Sequence, residues 1–354
     1  MWHTPCPCWS SMRDLARHEA EGAIIGIDVG ASTIAGGLVT PRGAVLASVQ
    51  SPTNAGAPGT ALEGLLSLVA QLQGEARTRG IALQGVGMGL PGLVDVDKGM
   101  MVAEKHLVPD LTRVPIADRI RQRTGLPTWV DNDVNALALG EARYGEGRDA
   151  RSLVVLAIGT GLGGALVIDG ALVRGRSGYA GEFGHITVQL NGPACFAGVH
   201  GCLCRLLGGE MIATEARIRT DQRRDSKMLA LAGSDPAAVT TQMVFLAAEA
   251  GDEVAARLVD DACEALGACL GSILNGLNPE VVVVTGGVVN SLLSLQGDIL
   301  RRTAKYALAE VFADTTIRLL PSDKSSTMRG AAALFLYESR RRTLPPSLAP
   351  AEER

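Results

Sequence analysis

The fold is decided by one stretch of sequence, Val130-Asp131-Asn132-Asp133-Val134-Asn135-Ala136-Leu137-Ala138-Leu139-Gly140-Glu141. It begins at the end of an apolar strand, Thr128-Trp129-Val130, and after the polar residues it becomes rich in Ala and Leu. Because Asp and Asn accept hydrogen bonds from the free N–H groups that begin a helix, we predict a cap at 131–133 and a helix from Val134 onward. This strand-to-helix junction is a usual place for chemistry in an α/β protein.

Two interpretations of the polar residues at this junction stay open. In the simpler one, Asp131 or Asn132 only caps the helix. In the other, the junction is a site, because one cap would suffice and Asp131, Asn132, Asp133 and Asn135 follow in close order. We favour the site, since the glycine turns described below would direct phosphates toward such a junction.

The composition limits the classes of protein that fit. The 354 residues are enough for two domains, and 47% of them are hydrophobic although only 3% are aromatic. A net charge of -4 without a basic block argues against nucleic acid as the main partner. No apolar run approaches the ~20 residues of a membrane span, and the first 21 residues lack the apolar core of a secretory signal, so we predict a cytoplasmic protein. Seven cysteines, an odd number, argue against a disulfide framework.

The chain carries two copies of one plan, namely a strand, a glycine turn, a returning strand, a third strand, and then helices and further strands. The strands of the two copies are predicted at 23–28, 34–39 and 44–49, and at 152–158, 165–168 and 171–173. Further elements are predicted as helices near 59–79, 115–124, 240–275 and from 328, and as strands at 86–90, 281–284 and 317–320. Duplicated halves predict two facing domains with a cleft between them.

One glycine turn, Gly159-Thr160-Gly161-Leu162-Gly163-Gly164, matches the dinucleotide-binding pattern GxGxxG. That pattern must open a helix, whereas this turn opens a strand and a hairpin, so the dehydrogenase interpretation is rejected. No Gly-Lys-Ser or Gly-Lys-Thr occurs, so there is no P-loop. What remains is a turn between antiparallel strands whose N–H groups can bind phosphate oxygens.

Two other turns have the same placement, each at the end of a buried strand. They are Gly30-Ala31-Ser32-Thr33 and Thr285-Gly286-Gly287, and Asp28 beside the first of them could hold a phosphate-bound Mg²⁺. Each turn alone fits a simple tight hairpin, but the three together predict nucleotide binding. The candidate phosphate-binding residues are Asp28, Gly30, Ser32, Thr33, Gly159, Thr160, Gly161, Gly163, Gly286 and Gly287.

From Ile24 to Leu336 the chain resembles the ROK family of sugar kinases, which have an actin-like and hexokinase-like ATPase fold. The motifs that carry the resemblance are Asp28-x-Gly30, Gly87-Met88-Gly89-Leu90-Pro91-Gly92-Leu93-Val94-Asp95, Asp131-Asn132-Asp133-x-Asn135, Gly159 to Gly164, Gly181-Glu182-Phe183-Gly184-His185 and Gly201-Cys202. The resemblance implies an α/β, two-domain actin-like ATPase (ribonuclease-H-like) fold, with duplicated βββαβα halves around a cleft.

The resemblance also implies how the chain is divided. We expect a tail at 1–22, a small α/β domain of 23–134 with the closing helix 326–342, a large α/β domain of 135–325, and a tail at 343–354. The large domain contains a zinc-type loop at 185–204.

The activity implied by the resemblance is phosphorylation of a hexose or N-acetylhexosamine by ATP and Mg²⁺. Asp133 matches the base that takes the proton from the sugar hydroxyl, which fits the need of phosphoryl transfer for positioning and a base. The matched sugar-binding residues are Gly92, His106, Asn132, Glu182 and His185. The resemblance further implies a homodimer or homotetramer whose partners are a sugar and ATP, without nucleic acid or membrane.

Family members carry a zinc site made of one His and three Cys. His185, Cys195 and Cys202 match it, but Ala197 stands where the second Cys is expected and cannot bind metal. Since structural zinc takes four ligands, Cys204 or His200 could supply the fourth. The alternative is that the metal has been lost and the thiols are free.

Other departures lie on the sugar side. Cys204 stands where the family has a Glu that contacts the sugar, and His106 falls where an Asn is usual. A thiol is a poor replacement for a carboxylate acceptor. Because Asp133, Glu182, His185 and the three glycine turns are intact, a kinase is still favoured over a catalytically silent sugar-binding protein. A sugar-sensing repressor, as in other members of the family, is not favoured, because the 22 residues before the first strand are too few for a DNA-binding domain.

Overall fold

A computed structural model describes residues 21–53, 60–103, 108–222 and 225–343. The tails expected at 1–22 and 343–354 lie almost wholly outside these residues. The chain forms two compact units, of which the first comprises the described residues up to 149 with 170–179 and 323 onward. The second unit comprises 150–169 and the described residues of 180–322.

The first unit is built on a five-stranded sheet in the order β3-β2-β1-β4-β7. Its strands are β1 (Ala23–Val29), β2 (Thr33–Val39), β3 (Val45–Pro52), β4 (Leu83–Leu90) and β7 (Thr128–Asn132). Strands β1, β2 and β3 form an antiparallel meander, whereas β4 runs parallel to both β1 and β7. A small hairpin, β5 (Leu93–Asp95) and β6 (Met100–Ala103), follows β4 and was not predicted.

Helices cover both faces of this sheet, which explains why every residue of β1 is buried. One core cluster joins Ile25 and Ile27 of β1 to Leu65 and Leu72 of helix α1 (Thr60–Thr78). On the opposite face, Ile24 packs against Met328 and Phe335 of the closing helix α12 (Lys324–Thr343). The alternation of side chains along a strand sends neighbouring residues to these two cores.

Glycines allow α12 to approach its neighbours closely. A Cβ on Gly26 of β1 or on Gly87 of β4 would overlap the backbone of α12 at Met328 or Ala331. Where α12 crosses helix α3 (Asp133–Tyr144), a Cβ on Gly140 would lie 2.7 Å from the Cα of Gly330. These positions therefore place α12 against both the sheet and the helix that begins at the junction.

The second unit repeats the plan on a sheet in the order β10-β9-β8-β11-β12. The strands of this sheet are β8 (Ser152–Ile158), β9 (Leu162–Ile168), β10 (Ala171–Leu172), β11 (Val281–Thr285) and β12 (Thr316–Leu319), of which β10 is grouped with the first unit. Strand β8 pairs antiparallel with β9 and parallel with β11. The sheet is accompanied by helices α4 (Leu203–Leu207), α5 (Gly209–Gln222), α6 (Lys227–Leu231), α7 (Thr241–Glu249), α8 (Glu253–Leu277), α9 (Val289–Leu292), α10 (Gln296–Tyr306) and α11 (Ala309–Asp314). Helix α2 (Ile116–Thr124) belongs to the first unit.

The observed elements confirm the duplicated α/β plan and refine three of its parts. Strand β7 extends to Asn132 because Asp131 and Asn132 pair with β4, so α3 begins at Asp133 rather than Val134. The helical region predicted at 240–275 is two helices, since Gly251 has a φ of 86° and Asp252 caps the second. The closing helix begins at Lys324, earlier than predicted.

The expected domain boundaries stay a prediction, although α3 lies in the first unit beyond the boundary expected at 134. Over the part of the chain that the structure describes, no helix combines the length and the apolar character needed to cross a membrane.

Candidate active site

The junction between β7 and α3 is held by the side chain of Asn132. Its Oδ1 accepts hydrogen bonds from the backbone N–H groups of Val134 at 2.9 Å and Asn135 at 3.2 Å. Its Nδ2 donates to the carbonyl oxygen of Gly92 at 3.1 Å. Asn132 is therefore the helix cap, which leaves the two flanking carboxylates for other roles.

Asp131 is buried and fully engaged in hydrogen bonds and ion pairs. Its Oδ1 accepts from the backbone N–H of Asn132 at 2.7 Å and from Nδ2 of Asn135 at 3.0 Å. Its Oδ2 accepts from Nε of Arg174 at 2.8 Å. Since only 2% of Asp131 is exposed, this carboxylate supports the junction and is not open to a ligand.

Asp133 is the half-buried carboxylate at the first position of α3. Burial raises the pKa of Asp133 to about 7, and the negative charge of Asp28 adds to this effect. The backbone N–H of Val134, which donates to Oδ1 of Asp133 at 2.9 Å, acts in the opposite direction. A carboxylate with a pKa near 7 is suited to accept a proton at neutral pH.

Asp28 is the penultimate residue of strand β1, beside the first glycine turn, and is only 8% exposed. Nζ of Lys324, at the start of α12, lies 3.5 Å from Oδ2 of Asp28. In the turn, the N–H of Gly30 donates to the carbonyl of Thr33 at 3.0 Å, and the side chain of Ser32 is exposed. A partly buried carboxylate of this kind provides the oxygen ligands that Mg²⁺ prefers.

The structure brings the second and third glycine turns together in the second unit. Gly286 has a φ of 112°, and a Cβ there would overlap the backbone of Ile158, the last residue of β8. The next turn residues are open, since Thr160, Gly161 and Gly287 are exposed. The N–H of Gly209, which begins α5, donates to the carbonyl of Gly159 at 3.0 Å and fixes the turn to that helix.

Glu182 precedes a single helical turn, Phe183–His185, and His185 is the last residue of that turn. Gly181 has a φ of 90°, and a Cβ on it would lie 2.7 Å from the carbonyl oxygen of Gly164. The side chain of Glu182 is exposed and can therefore meet a ligand, whereas His185 is half-buried.

His185 lies in a compact group with Cys195 and Cys202. Their ligand atoms all fall within 4.8 Å of one another, and Sγ of Cys195 is 3.7 Å from Nδ1 of His185. Nitrogen and sulfur donors suit zinc, but they supply three of the four ligands of a structural site. Cys204 is not in this group, and Nδ1 of His200 lies 3.2 Å from the carbonyl of Gly192. Cys204 is instead buried in α4, where burial raises its pKa to about 12.

Two residues of the junction had no signal in the sequence. Arg174 and Glu338 meet next to Asp131, where Nη2 of Arg174 lies 2.6 Å from Oε1 of Glu338. Their wide separation along the chain hides this relationship from any local pattern. His106, which the resemblance places at the sugar, lies outside the described residues.

The profile of a known protein family, the ROK family, matches residues 24–338, which is nearly all of the described sequence. This protein belongs to the ROK family. The family expected from the sequence motifs is thereby confirmed. A solved ROK family glucokinase from Streptomyces griseus, in complex with glucose and AMPPNP, superposes on this ROK protein with a TM-score of 0.73. That likeness covers 88% of this chain and 99% of the other at 30% identity, and it confirms the actin-like ATPase fold.

Three curated relatives of this ROK protein have different names. A glucokinase from Halalkalibacterium halodurans is 35% identical over 81% of this chain and 87% of its own. An N-acetyl-D-glucosamine kinase from Vibrio vulnificus is 31% identical over 87% of this chain and 98% of its own. A xylose repressor from Caldicellulosiruptor bescii is 29% identical over 74% of this chain but only 65% of its own.

Proposed function

We propose that this protein is an ATP-dependent sugar kinase that phosphorylates a hydroxyl group of a hexose or an N-acetylhexosamine. The observation that carries the proposal is the environment of Asp133. Asp133 begins a helix whose cap is fixed by Asn132, and its pKa is about 7. The kinase relatives and the ATP-analogue complex of the Streptomyces griseus enzyme support the same reaction class.

In the proposed mechanism, Asp133 accepts the proton of the attacking sugar hydroxyl. Asn132 keeps its Oδ1 on the helix N–H groups and thereby holds the start of α3 in place. Glu182 and His185 bind the sugar, together with Gly92 and His106. Such positioning, with a base at the attacking oxygen, is most of what phosphoryl transfer needs from a protein.

The glycine turns would bind ATP, but the N–H groups of Gly30 and Gly159 already donate to the carbonyls of Thr33 and Gly161, so other atoms of these turns would make the contacts. Gly30, Ser32 and Thr33 are the proposed phosphate-binding residues of the first turn, and the turns at 159–163 and 286–287 are further proposed nucleotide-binding segments. Asp28 is the residue that would hold Mg²⁺, directly or through water, because it lies next to the last residue of β1, just before the proposed phosphate turn. A bound Mg²⁺ would neutralise charge on the phosphate oxygens.

The loop at 185–204 would hold zinc through His185, Cys195 and Cys202, in a structural rather than a catalytic role. Among the described residues, three ligand atoms converge, and Cys204 does not provide one of them. We also propose a cytoplasmic homodimer or homotetramer that does not bind nucleic acid.

One observation favours a second candidate, a catalytically silent sugar-binding protein. The position where the family resemblance places a sugar-contacting Glu holds Cys204, a thiol that is 1% exposed. Burial raises the pKa of Cys204 to about 12, so the thiol is neutral at neutral pH and is a much weaker hydrogen-bond acceptor for a sugar than the carboxylate of a Glu. A xylose repressor is also among the relatives.

The deciding experiment measures ADP release from Mg·ATP with glucose, mannose, fructose, allose, N-acetylglucosamine, N-acetylmannosamine and no sugar. We expect one sugar to stimulate release, and Asp133→Asn to lower the stimulated rate at least ~100-fold through loss of the general base. Asp169→Asn is the matched control, because Asp169 is exposed in the β9–β10 turn with a φ of 50° that Asn tolerates. If no sugar stimulates release while sugar and nucleotide still bind, the silent candidate replaces the kinase.

A further inference from the structure

Arg174 follows β10 by two residues and lies in the segment 170–179, which belongs to the first unit. Its side chain is 14% exposed. Nε and Nη2 of Arg174 approach Oδ2 of Asp131 at 2.8 and 2.7 Å, and Nη2 also lies 2.6 Å from Oε1 of Glu338. One guanidinium thus joins strand β7, the closing helix α12 and the segment after β10.

The two oxygens of Asp131 have different partners. Oδ2 faces Arg174, whereas Oδ1 accepts the backbone N–H of Asn132 and Nδ2 of Asn135. Asn132 and Asn135 immediately flank Asp133 and Val134, so Asp131 connects the cation to the backbone that presents the proposed base. We propose that Arg174 is a positioning residue for the reaction and that it acts through Asp131 on the Asn132–Asp133 junction.

The charges explain why a cation is needed at this place. Asp131 is 2% exposed and Glu338 is fully buried. Burial disfavours the charged form of Arg174, but Asp131 and Glu338 outweigh this effect and raise its pKa. Among the described residues, Arg174 provides the cation within 4 Å of Asp131, whereas Glu338 also faces Arg341 and Arg342. Without Arg174, Asp131 would remain as a buried anion without a counter-charge.

Arginine suits this role better than lysine would. Its planar guanidinium keeps two nitrogen atoms on Asp131 while one of them also reaches Glu338. A lysine ammonium is a single point that does not reproduce this fork. Any rotation of the Asp131 carboxylate would release the N–H of Asn132, whose neighbour in the chain is Asp133. A displacement of the reacting groups by about 1 Å can cost ~100-fold in rate.

The proposal rests on the proposed kinase function for its kinetic test. For the sugar that stimulates ADP release, we expect Arg174→Gln to lower kcat between ~10- and ~100-fold. The second variant combines Arg174→Gln with Asp131→Asn. It removes the unpaired negative charge of Asp131, and the new amide keeps an oxygen that accepts hydrogen bonds from Asn132 and Asn135. We expect it to recover kcat at least about fivefold over Arg174→Gln alone. Arg174→Lys should fall between wild type and Arg174→Gln, and it serves in place of Arg174→Gln if that variant does not fold.

The matched control is Arg302→Gln in α10. Arg302 is 16% exposed and also bridges several carboxylates, those of Asp260, Glu264 and Asp298. We expect Arg302→Gln to lower thermal stability and to leave kcat within about twofold of wild type. If Arg174→Gln behaves in the same way, or if the double variant recovers nothing, Arg174 is only structural and the proposal is overturned.

A second readout does not depend on catalysis. Amide hydrogen exchange at 132–135 should be faster in Arg174→Gln than in wild type, whereas exchange in β8 at 152–158 should not change. If the wild-type protein shows no sugar-dependent turnover, the proposed function fails and this exchange measurement alone tests the positioning role. Unchanged exchange at 132–135 would then overturn it.

Discussion

Asp28 and Asp133 are carboxylates on different elements of one sheet unit, and the charge of Asp28 adds to burial in raising the pKa of Asp133 to about 7. Asp28 is the penultimate residue of β1, and Asp133 begins the helix that follows β7. The register of the intervening strand β4, with Gly89 beside both Asp28 and Asp131, brings the two strand ends to the same edge of the sheet. This relationship determines how activity and stability respond to pH.

The proposed base must be ionised to accept a proton, so activity should depend on pH. With a pKa of about 7 for Asp133, kcat/KM should fall as the pH is lowered through 7. Asp28→Asn removes the like charge and should move this acidic limb to lower pH, although it also lowers the maximum rate if Asp28 holds Mg²⁺. The measurement is the position of the limb between pH 5 and 9. A limb that does not move in Asp28→Asn would contradict the coupling.

Stability should respond to the same pKa in the opposite sense. The pKa of Asp133 is about 7 in the folded protein and near 3.8 in the unfolded chain. The contribution of Asp133 to the free energy of unfolding is therefore most favourable below pH 4, and it is lost as the pH rises to 7. Asp133→Asn has no charge to bury, so at pH 8 it should be more stable than wild type by ~1–3 kcal/mol. Urea unfolding at pH 8 and pH 4 checks this, and an equal difference at both values would refute it.

Close packing of α12 against α3 should make Gly330 intolerant of a side chain. A Cβ on Gly330 would lie 2.7 Å from the carbonyl oxygen of Ala136 and 2.9 Å from the Cα of Leu137. Because backbone atoms cannot move aside easily, Gly330→Ala should lower the free energy of unfolding by ~1–3 kcal/mol.

The matched control for this substitution is Gly74→Ala in α1, where a Cβ would meet nothing within 4 Å. Alanine is the better helix former there, so the control should raise stability by ~0.5–1 kcal/mol. Chemical denaturation of both variants is the measurement. Equal losses would show that the close approach at Gly330 is not the cause.

The zinc content of single Cys→Ala variants should show which thiols of the loop at 185–204 bind the metal. His185, Cys195 and Cys202 converge within 4.8 Å, but Cys204 does not join them. We expect about one zinc per chain in the wild-type protein, as for a structural site. Cys195→Ala and Cys202→Ala should lose this zinc, whereas Cys204→Ala should retain it.

Elemental analysis of freshly purified protein, prepared without chelator, provides this measurement. Absence of zinc from the wild-type protein would contradict the site. Loss of zinc from Cys204→Ala would instead identify Cys204 as the fourth ligand.

Much of the framework followed from local patterns. Fully apolar runs such as Val281–Val284 predicted buried strands, and a glycine turn was correctly placed between antiparallel strands, although it ends at Gly161 because β9 begins at Leu162. The polar run at 131–133 was correctly assigned to a strand-to-helix junction, but only the structure shows that β7 continues to Asn132 and that Asn132 caps the helix. Local sequence does not report how far a strand continues along its partner.

Local sequence patterns did not predict the residues that act through long-range contacts. Arg174 follows an ordinary hairpin turn, and Glu338 looks like one more charged residue of a closing helix. Only the folded chain shows that Arg174 joins Asp131 to Glu338.

By itself, the sequence determined the repeated α/β plan, the three glycine turns and the carboxylate at the junction, because periodicity, turn geometry and capping act between residues close in the chain. Only the tertiary structure determined which carboxylate is held in an ion pair and which can accept a proton. Asp131 is tied to Arg174, whereas Asp133 has a pKa near 7 because of burial and Asp28. Burial and charge interactions depend on which distant residues become neighbours, and only folding brings them together.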